Sequence, residues 1–414
     1  MRRHGGFVQR GDDVVITGTG MLTHLGGEAQ TLAVVREGKS RPIPTYQPAV
    51  DAGCRCTRVG LIPEDRLSDS ALGVTRKEGR FLGPASRMAL AAARDALVSA
   101  QWGDNPDLAV LVGSGAGDTA AHIETHERLL GGARRVKPTV VPRLMASTVS
   151  ANLVHTLGTQ GPSASVAAAC AGGAWNIAVA AMMVRDGLCN AALAGGTECV
   201  DIHFHAGFDR MRAYCADADS TPSNGSRPYA ADRAGFIFGE GAGMVILERR
   251  DQAEARGANI VAELCGWGLS SDGNREMVQP CADGPVRAMR AALRNAGRSA
   301  DEVAYINTHA TSTPAGDVEE VRALREVFGR KVNYSSTKGY TGHMVSAAGA
   351  VEAILTSRFL AQGLAPGCVN AEPTDPALAD YPCLVSLTAI DGGLAMSNSF
   401  GFGGTNASLV IARP

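Results

Sequence analysis

Four segments of the chain combine residue types able to do chemistry with small residues that let the backbone turn tightly. The first is Val166-Ala-Ala-Ala-Cys170-Ala-Gly-Gly-Ala-Trp175-Asn176. An apolar strand is expected to run to Cys170, and the glycines and alanines permit a tight turn into a helix that continues through Met183. This places the thiol on a strand-to-helix elbow at the positive end of a helix dipole. Such a position lowers a thiol's pKa and points its sulfur outward, as a nucleophile requires. A buried structural cysteine is the competing reading, and the flanking small residues favour the nucleophile. The second segment, Tyr305-Ile-Asn-Thr-His309-Ala-Thr-Ser-Thr-Pro-Ala-Gly-Asp317, ends a strand on a histidine followed by a hydroxyl-rich loop and an acid. The third, Ser335-Ser-Thr-Lys338-Gly-Tyr-Thr-Gly-His343-Met-Val-Ser-Ala-Ala-Gly349, sets His343 just before a small-residue helix, its ring expected to be exposed there, with Lys338 on the approach. The fourth, Ser397-Asn-Ser-Phe400-Gly-Phe402-Gly-Gly-Thr-Asn406, is a glycine-rich turn feeding a terminal strand. Flexible glycines beside aromatics suit a gate over an apolar tunnel, and the turn's N–H groups suit an oxyanion.

The elements that must hold these segments follow from periodicity. Short apolar runs at 14–18, 108–113, 164–168, 244–248, 304–307 and 407–412 read as strands. Helical stretches lie between them, including 86–98 and one that opens with Pro285 and stops at Gly297. This alternation predicts an α/β protein of layered helices and sheets. Charged helix formers after Glu248 place a boundary between two halves, 1–251 and 252–414. No obvious sequence repeat relates the halves, and no linker rich in Pro, Gly or Ser separates them.

Composition narrows the alternatives. The 414 residues are 45% hydrophobic and 19% charged, enough for a large core. A net charge of −2 gives no basic field for nucleic acid. The uncharged stretch 161–184 has the length of a membrane span, but Ala, Gly and Ser dominate it, so a buried strand and helix fit better. Met1-Arg2-Arg3 leads into glycines and charged residues rather than an apolar run. Together with ten cysteines lacking any double CxxC, this predicts reduced thiols in a cytoplasm. Gly18-Thr-Gly20 and Gly113-Ser-Gly115-Ala-Gly117 imitate dinucleotide loops without completing GxGxxG, and no P-loop occurs. Cys54 and Cys56, His122 and His126, and His203 and His205 lack further ligands in sequence and are not read as metal sites.

Taken together, the four segments resemble the β-ketoacyl-acyl carrier protein synthases of the type I and II branch. The resemblance runs from Val14-Val-Ile-Thr-Gly-Thr-Gly20 through Gly113-Ser-Gly-Ala-Gly117, the Cys170 elbow, Ala194-Gly-Gly-Thr-Glu198 and Arg227-Pro-Tyr-Ala-Ala-Asp232-Arg-Ala-Gly-Phe236 to the 400–406 turn. It implies a thiolase-like fold, two similar halves in a five-layered α-β-α-β-α core, and a dimer. Cys170 would accept an acyl chain from an acyl carrier protein or coenzyme A. His309 and His343 would stabilise the enolate formed as a malonyl thioester loses carbon dioxide. Lys338 and Glu320 match the family's supporting ion pair, the N–H groups of Cys170 and Phe402 its oxyanion hole, and Phe400 its gate. Ala116 and Phe208 correspond to acyl-pocket positions, the small Ala116 leaving the pocket open. Lys77, Arg80, Arg134, Arg135 and Lys137 fall where a basic patch for the acidic carrier protein is expected. No cofactor enters this chemistry.

Three positions depart from the family's habit. Ala310 follows the first histidine where Gly is common, Ser346 stands where the second-histidine helix often has Gly, and Ala171-Gly172-Gly173 replaces small hydroxylated residues. All adjoin the site, and they favour a specialised pathway such as polyene or other type II polyketide assembly. The rival readings are a ketosynthase paired with a chain-length factor that lacks the cysteine, and an acyltransferase on the same fold. A non-catalytic partner would not need Cys170, both histidines and Lys338.

Overall fold

The computed structural model describes residues 13–132, 136–216 and 225–414. Ten principal strands form one continuous sheet. In chain order they are β1 (Val14–Thr23), β2 (Ala109–Gly113), β3 (Ser163–Ala164), β4 (Ala191–Glu198), β5 (Gly241–Arg249), β6 (Ala262–Ser271), β7 (Val303–Asn307), β8 (Asn333–Ser335), β9 (Leu394–Gly401) and β10 (Thr405–Ala412). Across the sheet they run β8-β7-β9-β10-β6-β1-β5-β4-β2-β3, and Gly26–Gly27 adds a short eleventh strand beside β1.

That order contains the same unit twice. From the central β1/β6 junction outward, each half has two antiparallel pairings followed by two parallel ones: β1-β5-β4-β2-β3 on one side and β6-β10-β9-β7-β8 on the other. Strands β1 and β6 meet over only Val14–Ile16 against Ala262–Leu264. The helices repeat as well. Helix α1 (Pro84–Ala100) packs on β1 as α3 (Asp283–Ala296) packs on β6. Helix α2 (Gly172–Arg185) follows β3 as α5 (Ala348–Ala361) follows β8, with α4 (Pro314–Phe328) after β7.

Equivalent glycines permit equivalent contacts. A Cβ on Gly18 or Gly20 would lie 2.3 or 2.1 Å from the carbonyl oxygens of Ala96 and Ala92 in α1. One on Gly266 or Gly268 would lie 2.7 or 2.0 Å from those of Ala292 and Ala288 in α3. The Gly-x-Gly after the start of β1 is therefore a packing device inside a strand, which lets a helix backbone lie directly on it.

Helices α2 and α5 are buried nearly all round and rich in alanine, and they pack on each other and on strands of both halves. Small residues let the two helix starts approach, with Cys170 just before one and His343 just before the other. The 161–184 stretch resolves into β3 and α2, and no helix among the described residues is long and apolar enough to cross a membrane.

Candidate active site

Strand β3 ends at Ala164, earlier than expected, and residues 165–168 approach Cys170 without a ladder. Asn176 replaces the ladder. Its side chain accepts from Val166 N–H at 3.0 Å and donates to the carbonyls of Val166 and Gly172 at 3.0 and 2.8 Å, clamping both limbs of the elbow. Ala169 then takes φ 44°, a left-handed conformation that costs an L residue on the order of 1–3 kcal/mol. Its counterpart in the second half is Val345, with φ 43° at the start of a 3₁₀ turn that leads into α5. The elbows are internal equivalents, Cys170 occupying in one the place of Ser346 in the other.

They also touch. A Cβ on Gly172 would lie 2.4 Å from Ser346 Oγ, and one on Gly173 would lie 2.6 Å from Ser346 carbonyl oxygen. Two of the three sequence departures thus form one exchange: the Ser346 hydroxyl fills the space a hydroxylated residue 172 would claim. Gly172→Ser alone is expected to destabilise by about 1–3 kcal/mol through overpacking. Adding Ser346→Gly should recover most of this, with a coupling energy of about 0.5–3 kcal/mol in a thermal or denaturant double-mutant cycle. Additive effects would refute the exchange.

His343 is fixed through its backbone. Its N–H donates to Ile237 O at 2.8 Å, and its carbonyl accepts from Gly239 N–H at 3.2 Å. His309 follows β7, and its N–H donates to Glu320 Oε1 at 2.9 Å while Ala310 N–H donates to Oε2 at 2.7 Å. The Cys170 sulfur and one nitrogen of each histidine lie within 4.8 Å of one another. The imidazole rings stand nearly perpendicular, with centroids 5.3 Å apart. All three residues line a cavity of about 380 Å³ whose wall includes Phe208, Phe236, Phe400 and Phe402.

Several expectations need correction. Cys170 is only 6% exposed, and burial pushes its thiol up to about 12 instead of down. The Lys338 charge and the N–H groups of Phe402 and Cys170 itself oppose that rise. The helix start therefore does not present an accessible thiolate. It offers a thiol that must lose its proton as it reacts. His343 is likewise buried, not exposed at the start of α5. Lys338 pairs with Glu352 of α5, both side chains fully buried, and not with Glu320. Glu320 instead holds the His309 backbone and accepts from Asn398 Nδ2 at 3.4 Å. Burial raises its carboxyl to about 7, with His309 N–H and Lys338 pulling against the shift. Burial, then Lys338, holds both imidazoles well below 6.5, so each is neutral at pH 7.

The remaining sites divide. Phe208 lines the cavity, and its ring lies 6.1 Å from that of Phe402, which is 38% exposed at the lip. Phe400 stands 6.0 Å from His309. Ala116 does not line the cavity; its N–H donates to Glu198, which also accepts from Ser114, Gly115 and the Ser346 N–H. Lys77, Arg80 and Lys137 are exposed but outside the cavity lining, and Lys137 is paired with Glu124 at 2.6 Å. Arg134 and Arg135 lie outside the described residues. Among the described residues, the cation on the cavity wall is Arg212, which sequence reasoning missed. Thr311 and Thr313, their hydroxyls 3.1 Å apart, also line it, and the hydroxyl-rich loop after His309 was their signal.

The chain is similar to known proteins over nearly its whole length. The model of the β-ketoacyl synthase N-terminal domain matches residues 11–253, and that of its C-terminal domain matches 261–372. The 3-oxoacyl-[acyl-carrier-protein] synthase 1 of Escherichia coli strain K12 is 38% identical, covering 96% of this chain and 98% of that enzyme. A β-ketoacyl synthase from Burkholderia phymatum superposes with TM-score 0.89 at 33% identity, covering 97% and 99% of the two chains. The ishigamide ketosynthase/chain length factor superposes with TM-score 0.81 at 28% identity, over the same shares.

Proposed function

Because the chain belongs to the β-ketoacyl synthases, we propose that Cys170 carries the acyl group while His309 and His343 drive condensation with a malonyl unit held on an acyl carrier protein. The observation that carries this reading is the meeting of one thiol and two neutral imidazoles in a single apolar-walled cavity. Cys170 Sγ attacks the acyl thioester carbonyl, the carrier thiol leaves with the proton, and a Cys170 thioester remains. The malonyl thioester then loses carbon dioxide. The electron pair of the broken C–C bond becomes an enolate, whose oxygen needs donors. Two neutral imidazoles each offer one N–H, and the enolate carbon attacks the Cys170 thioester. The N–H groups of Cys170 and Phe402, both bearing on the sulfur, would hold the resulting oxyanion. Collapse frees Cys170 and leaves a β-ketoacyl chain two carbons longer on the carrier.

Arg212 at the cavity suits the carrier's phosphate arm, and the Thr311 and Thr313 hydroxyls suit the amides of that arm. For the dimer, the features are the terminal strand β3, with Ser163 and Ala164 exposed, and the exposed apolar side chains Leu129, Leu130, Val141 and Met145. A second copy would make a homodimer. A chain-length factor, as in the ishigamide assembly, would make a heterodimer working in polyketide rather than fatty acid elongation.

Intact-protein mass spectrometry with a panel of acyl-carrier thioesters, then malonyl-carrier, tests the reading. Acylation confined to Cys170 followed by a two-carbon longer product is expected. Acylation without extension by the chain alone, but with extension once a chain-length factor is added, selects the heterodimer. Acyl transfer onto small acceptors without decarboxylation selects the acyltransferase, and acylation of Cys170→Ala at another residue overturns the mechanism.

A further inference from the structure

The geometry points to a second chemistry for the same three side chains: we infer that Cys170, His309 and His343 bind Zn²⁺ through one sulfur and two nitrogens, with a fourth position open to the cavity. Zinc favours this donor set, with bonds of about 2.3 Å to sulfur and about 2.0–2.1 Å to nitrogen in a tetrahedron. Such ligand atoms stand about 3.3–3.6 Å apart. Here they already lie within 4.8 Å of one another, among the described residues the one His/Cys/carboxylate group so arranged. Closing from that limit to zinc geometry shortens the ligand separations by at most roughly 1.2–1.5 Å. The three residues come from both halves of the fold, so the packed elbows pre-form the cluster. The cavity wall supplies the route in and the open position. The Lys338 charge, which bears on all three ligands, is shared with its partner Glu352, and the Glu320 carboxyl lies beneath His309.

Coordination involves no electron transfer. The Cys170 thiol gives its proton to solvent as the sulfur–zinc bond forms. Nδ1 of each imidazole is sealed without a hydrogen-bond partner, and lack of such support weakens a histidine–zinc site roughly 10–100-fold. The site therefore loads and strips readily, unlike a structural zinc centre. The sulfur cannot be zinc ligand and nucleophile together, so bound metal excludes the acyl group. That exclusion rests on the ketosynthase reading; metal binding does not.

Co²⁺ added to the reduced full-length protein serves as spectroscopic probe, with Zn²⁺ as competitor. Tetrahedral ligand-field bands and a thiolate-to-cobalt charge-transfer band are expected, absent in Cys170→Ala and bleached by Zn²⁺. The same bands in Cys170→Ala would assign the metal to other cysteines and overturn the proposal, as would an octahedral spectrum. His309→Ala should weaken binding by about tenfold or more, and an unchanged affinity would remove that residue from the site. A second readout uses the unaltered protein, where folding is not in question. Zn²⁺ should slow iodoacetamide labelling of Cys170, mapped by peptide, by about tenfold or more, and a chelator should restore it. Unslowed labelling at saturating Zn²⁺ overturns the proposal even if acyl loading proves normal.

Discussion

Replacing His343 or His309 by Ala lowers condensation about 10²–10³-fold while the Cys170 acyl-enzyme still forms. The magnitude is that of removing one preorganised donor from a developing oxyanion. The split between the two half-reactions follows from position. In the proposed mechanism the oxyanion formed on acylation faces backbone N–H groups, which neither substitution removes, whereas the enolate depends on the imidazoles. Single-turnover release of carbon dioxide from malonyl-carrier, measured beside acyl-enzyme mass, separates the two. Equal loss of acylation and decarboxylation would sink the assignment of the histidines to the enolate. The pH dependence follows from the same electrostatics. Burial and the Lys338 charge hold both imidazoles well below 6.5, so neither gains a proton between pH 8 and 6.5. Decarboxylation at saturating substrate should show no acid limb from the imidazoles in that interval; any limb near pH 7 would belong to the raised carboxyls of Glu320 or Glu352 and should vanish in Glu320→Gln or Glu352→Gln.

Much of the site is legible in the sequence because strands and helices end where small residues cluster. Cys170, His309, His343 and the 400–406 turn each carry that mark, and the fold brings all four to one cavity. What is not legible is which side chain pairs with which across the chain. Lys338 sits a similar number of residues from Glu320 as from Glu352 in sequence, and spacing cannot choose between them. The choice lies in tertiary packing: α5 buries Glu352 against Lys338, while α4 turns Glu320 toward the backbone beneath His309. Burial is equally hidden. The elbow motif predicts an exposed, acidified thiol from the helix dipole, but the thiol is buried, and desolvation outweighs the Lys338 charge and the Phe402 and Cys170 N–H groups and reverses the direction.

The internal repeat is hidden in the sequence for a related reason. Its halves preserve strand order, pairing sense and close helix contacts rather than residue identity. Its trace in the sequence is slight: Gly18-Thr-Gly20 answers Gly266-Trp-Gly268, each spaced so that both glycines face one helix. That repetition has a functional consequence. Two equivalent elbows meet at the centre, one carrying a nucleophile and the other a serine, with His343 immediately before the second. The candidate catalytic set is thus assembled at the contact between the halves, and a disturbance of either elbow is expected to reach the other through Gly172 and Ser346.

The largest effect on stability is expected from Lys338→Met. Lys338 and Glu352 are both fully buried, and removing one member of a buried pair leaves the other uncompensated, at about 3–5 kcal/mol. Protonation limits that loss. Burial already raises the Glu352 carboxyl to about 7 against the pull of Lys338, and without the lysine it rises further. The folded variant then holds a proton that the unfolded chain has released, across the interval from the ordinary carboxylate range up to the raised value. Stability must therefore fall as pH rises through that interval, so the deficit against the unaltered protein is greater at pH 8 than at pH 5.5. Denaturant melts at the two pH values check this, and a deficit independent of pH would show that Glu352 is not the group left stranded. Glu352→Leu added to Lys338→Met should recover much of the stability, because a buried pair replaced by apolar side chains is often tolerated. It should not restore catalysis at acid pH. Lys338 is one of the charges that keep His309 and His343 neutral, so in both variants the imidazoles take up protons more readily. The acid limb of decarboxylation moves upward even where the fold has been repaired, which distinguishes a lysine that tunes the histidines from one that only fills the core.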